Sequence, residues 1–354
     1  MKVLQSLLIV LLFYPVTAVS QLGGSGTYEF MNMANSARVA SLGGTTLSIW
    51  DDDLNLPFHN PSLLNAGMAR HLVISYVNYF TDINYGYFSY AENFKKLGTF
   101  AAGIHYVNYG DFIAADRYGT ITGKFTASEY TFNLIWSRSI DSLFQVGIDL
   151  KPVISALERY RSFGLAADIG LSYHSRDGLF CMGLSMRNLG VQLQAYHGKN
   201  REALPFRMEI GVSQKLRHAP FRFIATAHNL QKFDLTYINY NKAVSGLSNT
   251  EEANQAWVED FADKLMRHMV FGVEFIPLEG FQVRAGYNYM RRQDLKLDTR
   301  VAMVGFSWGF GLKVSGIRIN YGRASYHLAG ATNHFTISTD FSAFSRKSKA
   351  RDDA

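Results

Sequence analysis

The chain has 354 residues, a formal net charge of +6 and 47% hydrophobic residues, enough for one large domain or two ordinary ones. Its 35 Lys and Arg form no basic run interleaved with a nucleic-acid motif, so the charge implies weak attraction to anionic surfaces and no nucleic-acid partner. The single cysteine, Cys181, excludes an intrachain disulfide, and 26 Phe, 20 Tyr and 30 Gly against 7 Pro favour strands over helices.

Residues 1–20 read as a secretory signal peptide. Met1-Lys2 gives a positive start, Leu4 to Phe13 an apolar run, Pro15 a break, and Ala18-Val19-Ser20 small residues before a cut at Gln21. The alternative is a short buried helix. Gln21, not Cys, follows the cut, which argues against a lipid anchor. No later segment reaches the ~18 uninterrupted apolar residues of a spanning helix. An exported chain of this kind that spans a membrane does so as a closed barrel.

Residues 21–70 carry turn and helix signals (Gly23-Gly24, Gly43-Gly44, Asn60-Pro61) and no convincing strand pair. They are expected to form an N-terminal plug or periplasmic hatch. Its candidate residues are Asn35, Ser36, Arg38, Gly43, Gly44, Asp51, Asp53, Asn60 and Pro61. The alternative is a flexible leader. Asp51, Asp53 and Asn55 imitate the opening of a calcium loop, but Leu56 stands at the required Gly and Ser62 at the required Glu. A helix cap or plug contact is the better reading.

Residues 71–344 read as about fourteen strands, near 72–80, 84–93, 98–109, 128–138, 143–154, 164–174, 179–188, 206–216, 220–228, 267–276, 280–290, 300–312, 316–324 and 333–344. Each is about 9–12 residues long, the length a tilted strand needs to cross hydrocarbon. The fold class is therefore all-β, a transmembrane antiparallel β-barrel. Phe144, Val146, Ile148 and Leu150 oppose Gln145, Gly147, Asp149 and Lys151. Phe206, Met208, Ile210 and Val212 oppose Arg207, Glu209, Gly211 and Ser213; Phe281, Val283, Ala285 and Tyr287 oppose Gln282, Arg284, Gly286 and Asn288. Phe335, Ile337 and Phe341 oppose Thr336, Ser338 and Asp340. A soluble sandwich alternates in the same way, so two further features decide.

Gly recurs on the polar face, at Gly103, Gly147, Gly170, Gly183, Gly211, Gly272, Gly286, Gly305 and Gly322, where it relieves crowding and permits closure. Connections also alternate in length, as in outer-membrane barrels. Those at 139–142, 175–178, 216–220, 278–280 and 314–316 are tight, and those at 110–128, 155–163, 189–205, 229–267 and 291–298 are longer. The first connection, around Thr81-Asp82, is short and breaks the pattern. Turning the polar face outward would put Asp149, Asp168, Arg207, Glu209, Arg284 and Asp340 into lipid. Basic residues cost about 2–4 kcal/mol each at the midplane, which would exceed a net stability of about 5–15 kcal/mol. Tyr106, Tyr130, Trp136, Tyr173, Tyr287 and Trp308 suit interfacial girdles. A lumen of about fourteen strands leaks unless filled, and 21–70 is the obvious filler.

In the longest connection Ala253, Trp257, Phe261 and Leu265 recur every four residues opposite Glu251, Glu252, Glu259 and Asp260. Trp257, Phe261 and Leu265 form a candidate partner-docking helix; the plainer reading is a helix capping its own rim. The ten His residues form no metal or zincin motif and no Gly-x-Ser-x-Gly elbow is present. Pairs such as Asp149 with Lys151 and Arg207 with Glu209 read as solvated structural charges. No enzymatic activity, cofactor or metal is expected. Residues 345–354 form a polar C-terminal tail.

Thr27-Tyr28-Glu29-Phe30, the run 35–44, Asp51-Asp52-Asp53-Leu54 and Asn60-Pro61-Ser62-Leu63-Leu64 resemble the start of the PorQ family of the Bacteroidetes type IX secretion system. The runs 75–86, 263–268, 305–311 and 321–330 look like the same family. The resemblance implies a FadL-like barrel of fourteen strands, related to PorV, in the bacterial outer membrane. It implies an attachment-complex scaffold anchoring a PorZ-like surface protein beside a PorU-like sortase and a PorV-like barrel. The sortase would process cargo and join it to anionic lipopolysaccharide. The rival reading is a FadL-like channel for a hydrophobic or small solute. The polar tail departs from a terminal-aromatic assembly signal.

Overall fold

A computed structural model describes residues 26–236, 260–295, 303–327 and 330–341. The expected signal peptide, the tail after 344 and Trp257 lie outside the described residues. Fourteen strands form the wall: β1 (His71–Asn78), β2 (Asn84–Phe94), β3 (Gly98–Ala115), β4 (Ile121–Ser139), β5 (Phe144–Leu157), β6 (Tyr160–His174) and β7 (Phe180–Gln194). They continue as β8 (Arg207–Lys215), β9 (Phe221–Ala227), β10 (Met269–Leu278), β11 (Phe281–Asn288), β12 (Phe306–Val314), β13 (Ile317–His327) and β14 (Gly330–Asp340). Each pairs with both neighbours, and β1 pairs with β14 from His71↔Asp340 to Asn78↔Asn333, which closes the barrel.

The alternation has the orientation that lipid requires. Ile148 and Leu150 of β5 are 41% and 49% exposed, while Asp149 and Lys151 between and beside them are fully buried. Phe335 and Ile337 of β14 face out and Thr336 faces in. Tyr130 and Trp308 stand on the outer surface. With strand parity fixed by period two, the apolar coat and the polar lumen are one pattern seen from two sides.

Several boundaries differ from the sequence expectation. The loops expected over 110–128 and 155–163 are largely strand. β3 and β4 run on to a turn over 116–120, where the Asp116 carboxylate accepts from the Tyr118 and Thr120 amides at 2.8 and 2.9 Å. β5 and β6 join through Glu158 and Arg159, with Glu158 at φ +57. Beyond the hydrocarbon no apolar face is needed, so these extensions carry no greasy alternation. β11 stops at Asn288 and a helix, Tyr289–Leu295, replaces the expected strand end and loop. The Asn288 side-chain oxygen accepts from the Arg291 amide at 2.9 Å, a cap that turns the chain out of the ladder. β12 begins at Phe306, not 300, and Gly305 lies in the preceding turn at φ +86 instead of on a lumenal strand position. β14 ends at Asp340, not 344.

The connections over 95–97, 140–143, 175–179, 216–220, 279–280 and 315–316 are tight and lie at one end, here the turn end, but tightness is not confined to it, since the two-residue β5–β6 turn and the short 79–83 connection lie at the other. The opposite, loop end carries the β3–β4 hairpin and the long excursions. Residues 26–70 run down the lumen between the two. Gly26 bridges Ala203 at the loop end, and Arg70 leads into β1 at the turn end. Five short helical turns, the first Glu29–Asn32 and the last Ala66–Met68, give the segment its compactness.

Candidate functional site

The lumenal segment is built to be held. Ser36 caps the helix Ala37–Ser41 by accepting from the Val39 amide, and that helix packs on β12, β13 and β14. Its Arg38 points toward the wall and donates to Glu274 of β10 (Nε to Oε1 2.8 Å, Nη2 to Oε2 3.0 Å). The same guanidinium holds Asp51 at 2.7 Å and Asp53 at 3.0 Å. Arg222 of β9 and Arg284 of β11 reach Glu274 at 2.7 and 2.9 Å, and Arg318 of β13 holds Asp52 at 2.8 Å. Four arginines thus meet four carboxylates. Burial pushes the Asp51 carboxyl up, but Arg38 and then Arg222 outweigh it and hold it well below the usual range. The Asp53 carboxylate also accepts from the Asn55 amide at 3.1 Å. The three residues that imitated a calcium loop are therefore engaged in an arginine clasp and a local turn.

The remaining candidates serve the same packing. Asn35 donates to the Asn55 carbonyl at 2.9 Å, and its oxygen meets His59 Nε2 at 3.1 Å. Asn60 donates to the Leu47 carbonyl at 2.9 Å and accepts from Ser62. Gly43 and Gly44 both sit at φ +100, a left-handed turn open to Gly. The lumenal glycines have a sharper role than curvature. A methyl on Gly147 would overlap Pro61, on Gly170 Asn60, on Gly183 the Leu47 carbonyl, on Gly286 the Leu42–Gly43 backbone and on Gly322 the Ala37 carbonyl. They let the plug backbone lie directly on the wall.

A second charged cluster lies across the lumen. Lys151 pairs with Asp168; Arg187 of β7 lies 3.6 Å from Asp168 and 3.8 Å from Glu209. A bulge opposite Asp168 places Arg187 and Asn188 both inward, with Asn188 at φ +58 and its amide on the Asp168 carboxylate at 2.7 Å. Phe58 of the plug covers this cluster, its ring 5.2 Å from Lys151 Nζ. These charges are buried, not solvated as their sequence suggested, because the plug excludes water. Arg207 and Glu209 form no pair; Glu209 turns to Arg187.

Sequence reasoning missed Arg222, Glu274, Arg187 and His228. The first three stand on the inward parity of their strands, between outward Phe221 and Phe223 in the case of Arg222, so parity was the available signal. Of the docking-helix residues, Phe261 and Leu265 lie on a helix over 260–267 and are 44% and 49% exposed. Phe261 leans on Phe233 at 5.9 Å between ring centroids. Two recesses are floored by the plug. One at the turn end, about 700 Å³, is bordered by Trp50, Lys95 and Arg138, and one at the loop end, about 370 Å³, by Glu29, Arg207 and His228.

No family model and no curated protein matches the chain. Solved structures do. The Ralstonia pickettii toluene transporter TbuX aligns with a TM-score of 0.51 at 10% identity, over 88% of this chain and 100% of that one. The Pseudomonas putida toluene transporter TodX aligns at 0.51 and 13%, over 88% and 99%. A Pseudomonas aeruginosa FadL homologue aligns at 0.46 and 11%, over 87% and 98%. What this chain shares with TbuX and TodX, at 10% and 13% identity, is the fold.

Proposed function

We propose that the protein is an exported, integral outer-membrane barrel that does no chemistry itself and anchors a surface partner. The supporting observation is the seated plug: it is clasped to the wall by buried ion pairs, and every strand of the wall pairs with both neighbours. The resemblance to the PorQ family specifies the partner: a PorZ-like surface protein, held where a PorU-like sortase and a PorV-like barrel attach cargo to anionic lipopolysaccharide. The second reading is uptake of a hydrophobic or small solute through a plug that opens. The comparisons favour this second reading, because the transporters TbuX and TodX share the fold over nearly the whole chain.

One experiment separates the two. The full chain is reconstituted in liposomes for toluene uptake and, in parallel, extracted in mild detergent from its native membrane. An anchor leaves the vesicles sealed and retains a surface protein, which Trp257→Ala with Phe261→Ala releases. Saturable solute uptake with no retained partner establishes the channel instead.

A further inference from the structure

The turn-end recess has a one-sided lining. Lys95 and Lys96 of the β2–β3 turn and Arg138 near the end of β4 border it, and among the described residues no Asp or Glu does. All three side chains are exposed, and none has a hydrogen bond or ion pair among the described residues. The two carboxylates that flank them in sequence stand outside the recess. Asp141 accepts from the Leu143 and Phe144 amides at 2.7 Å, and Glu92 accepts from the Tyr90 hydroxyl at 2.9 Å. The polar lining is also engaged, Gln145 donating to Ser137 and Asn93 to Thr99, each at 2.7 Å. Three cations round one space without a counter-charge raise its affinity for an anion, and the fork of Arg suits a phosphate.

The same corner marks the edge of the hydrocarbon. Phe94 and Leu97 flank the two lysines and are 53% and 63% exposed. On the outer face of β4, Leu134, Trp136 and Arg138 follow one another, a passage from aliphatic to aromatic to cationic. The Trp136 indole N–H donates to the Leu97 carbonyl at 2.8 Å, which holds the ring at the height an interfacial aromatic takes. Gly98 keeps the approach open, since a side chain there would meet Trp136 Nε1 at 3.2 Å and Arg138 Cβ at 3.4 Å. Short turns of such barrels face the periplasm.

We propose that this corner binds one anionic phospholipid of the periplasmic leaflet, its phosphate held by Arg138, Lys95 and Lys96 and its acyl chains lying along Trp136, Leu134 and Phe100. The apolar ramp beside the cations favours a lipid over a soluble phosphate, which would make no use of it. The proposal rests on the outer-membrane barrel that the anchor and the channel readings share; partner retention and solute uptake are unaffected by its failure.

The test uses the full chain in detergent, titrated with phosphatidylglycerol, phosphatidylcholine and soluble glycerol phosphate, with bound lipid counted by native mass spectrometry. One phosphatidylglycerol should bind saturably, about tenfold or more tighter than phosphatidylcholine, and Arg138→Gln should weaken it about fivefold, the worth of one basic group at a lipid surface. Lys95→Gln, Lys96→Gln and Arg138→Gln together should remove the preference while the folded band on an unheated gel persists. Arg176→Gln, on the exposed β6–β7 turn outside the recess, should leave it unchanged. If the triple variant does not fold, the single variants carry the test. Absence of saturable phosphatidylglycerol binding, equal binding of phosphatidylcholine, equal binding of glycerol phosphate, a preference that survives in the folded variants, or an equal loss in Arg176→Gln overturns the proposal.

Discussion

Arg38 of the plug and Glu274 of the barrel wall meet through two parallel hydrogen bonds, at 2.8 and 3.0 Å, with both side chains out of contact with solvent. This fork joins two parts of the chain 236 positions apart, and it is the natural place to test how firmly the plug is seated.

Arg38→Gln leaves Glu274, Asp51 and Asp53 facing each other with one cation fewer. Breaking one side of a buried pair costs about 3–5 kcal/mol. The plug should become cleavable by protease in intact detergent-solubilised protein, while the barrel still migrates as a folded band. Arg38→Met with Glu274→Met should cost less than the sum of the two single changes, because neither charge is then stranded.

Gly322→Val places a branched side chain where the Ala37 carbonyl lies, and Gly147→Val does the same at Pro61. Overpacking of this kind costs about 1–3 kcal/mol. Here the plug backbone is the part that gives way, so single-channel recording should detect conductance absent from the parent protein. A Tyr118→Ala control, at an exposed position of the hairpin turn, should leave the bilayer sealed.

Ile148→Arg puts a cation on the lipid-facing side of β5. The expected cost is about 2–4 kcal/mol if the position is near the midplane, seen as a lower yield of folding into phosphatidylcholine vesicles. Substituting Arg at Glu158, in the β5–β6 turn, should have no such effect. Equal yields for the two would place the membrane elsewhere on the barrel.

Acid should loosen the plug from its turn-end half. Burial raises the Asp52 carboxyl, but Arg318 beside it prevails and leaves it below its ordinary value, as Arg38 does for Asp51. Folded-state values below unfolded ones mean that this stabilisation is complete above about pH 4 and is lost as pH falls further, through the folded-state values. Protease resistance of the plug should therefore persist from pH 7 to about 5 and weaken progressively below about pH 4, the more exposed Asp52 contact failing before the Asp51 one. Arg318→Gln, which removes the Asp52 partner, should shift the onset of cleavage to higher pH; an unchanged onset would show that this pair does not hold the plug.

Much of the wall was legible in the chain because a membrane enforces parity: Ile148, Asp149, Leu150 and Lys151 admit one orientation only. Legibility ended where that enforcement ended. Asp111, Arg117 and Lys124 lie in or beside strand that has left the hydrocarbon, and nothing in their order separates strand from loop. The Asn288 cap that starts the Tyr289–Leu295 helix hides in a run of residues that also suits a strand. The plug was legible as a compact filler, but not its partners. That Arg38 finds Glu274, or that Gly183 is bare because the Leu47 carbonyl rests on it, depends on how the segment threads the lumen.

The wall is not of even height. β3 and β4 have 18 and 19 residues and β9 has 7, so at about 3.3 Å per residue the crest on one side overtops the other by roughly 36–40 Å along the strands. A protein settling on this rim meets continuous strand on one flank and, on the other, short strands topped by the helix over 260–267. A rim so uneven would give any protein that docked on it a single bearing about the membrane normal, which a level ring could not impose.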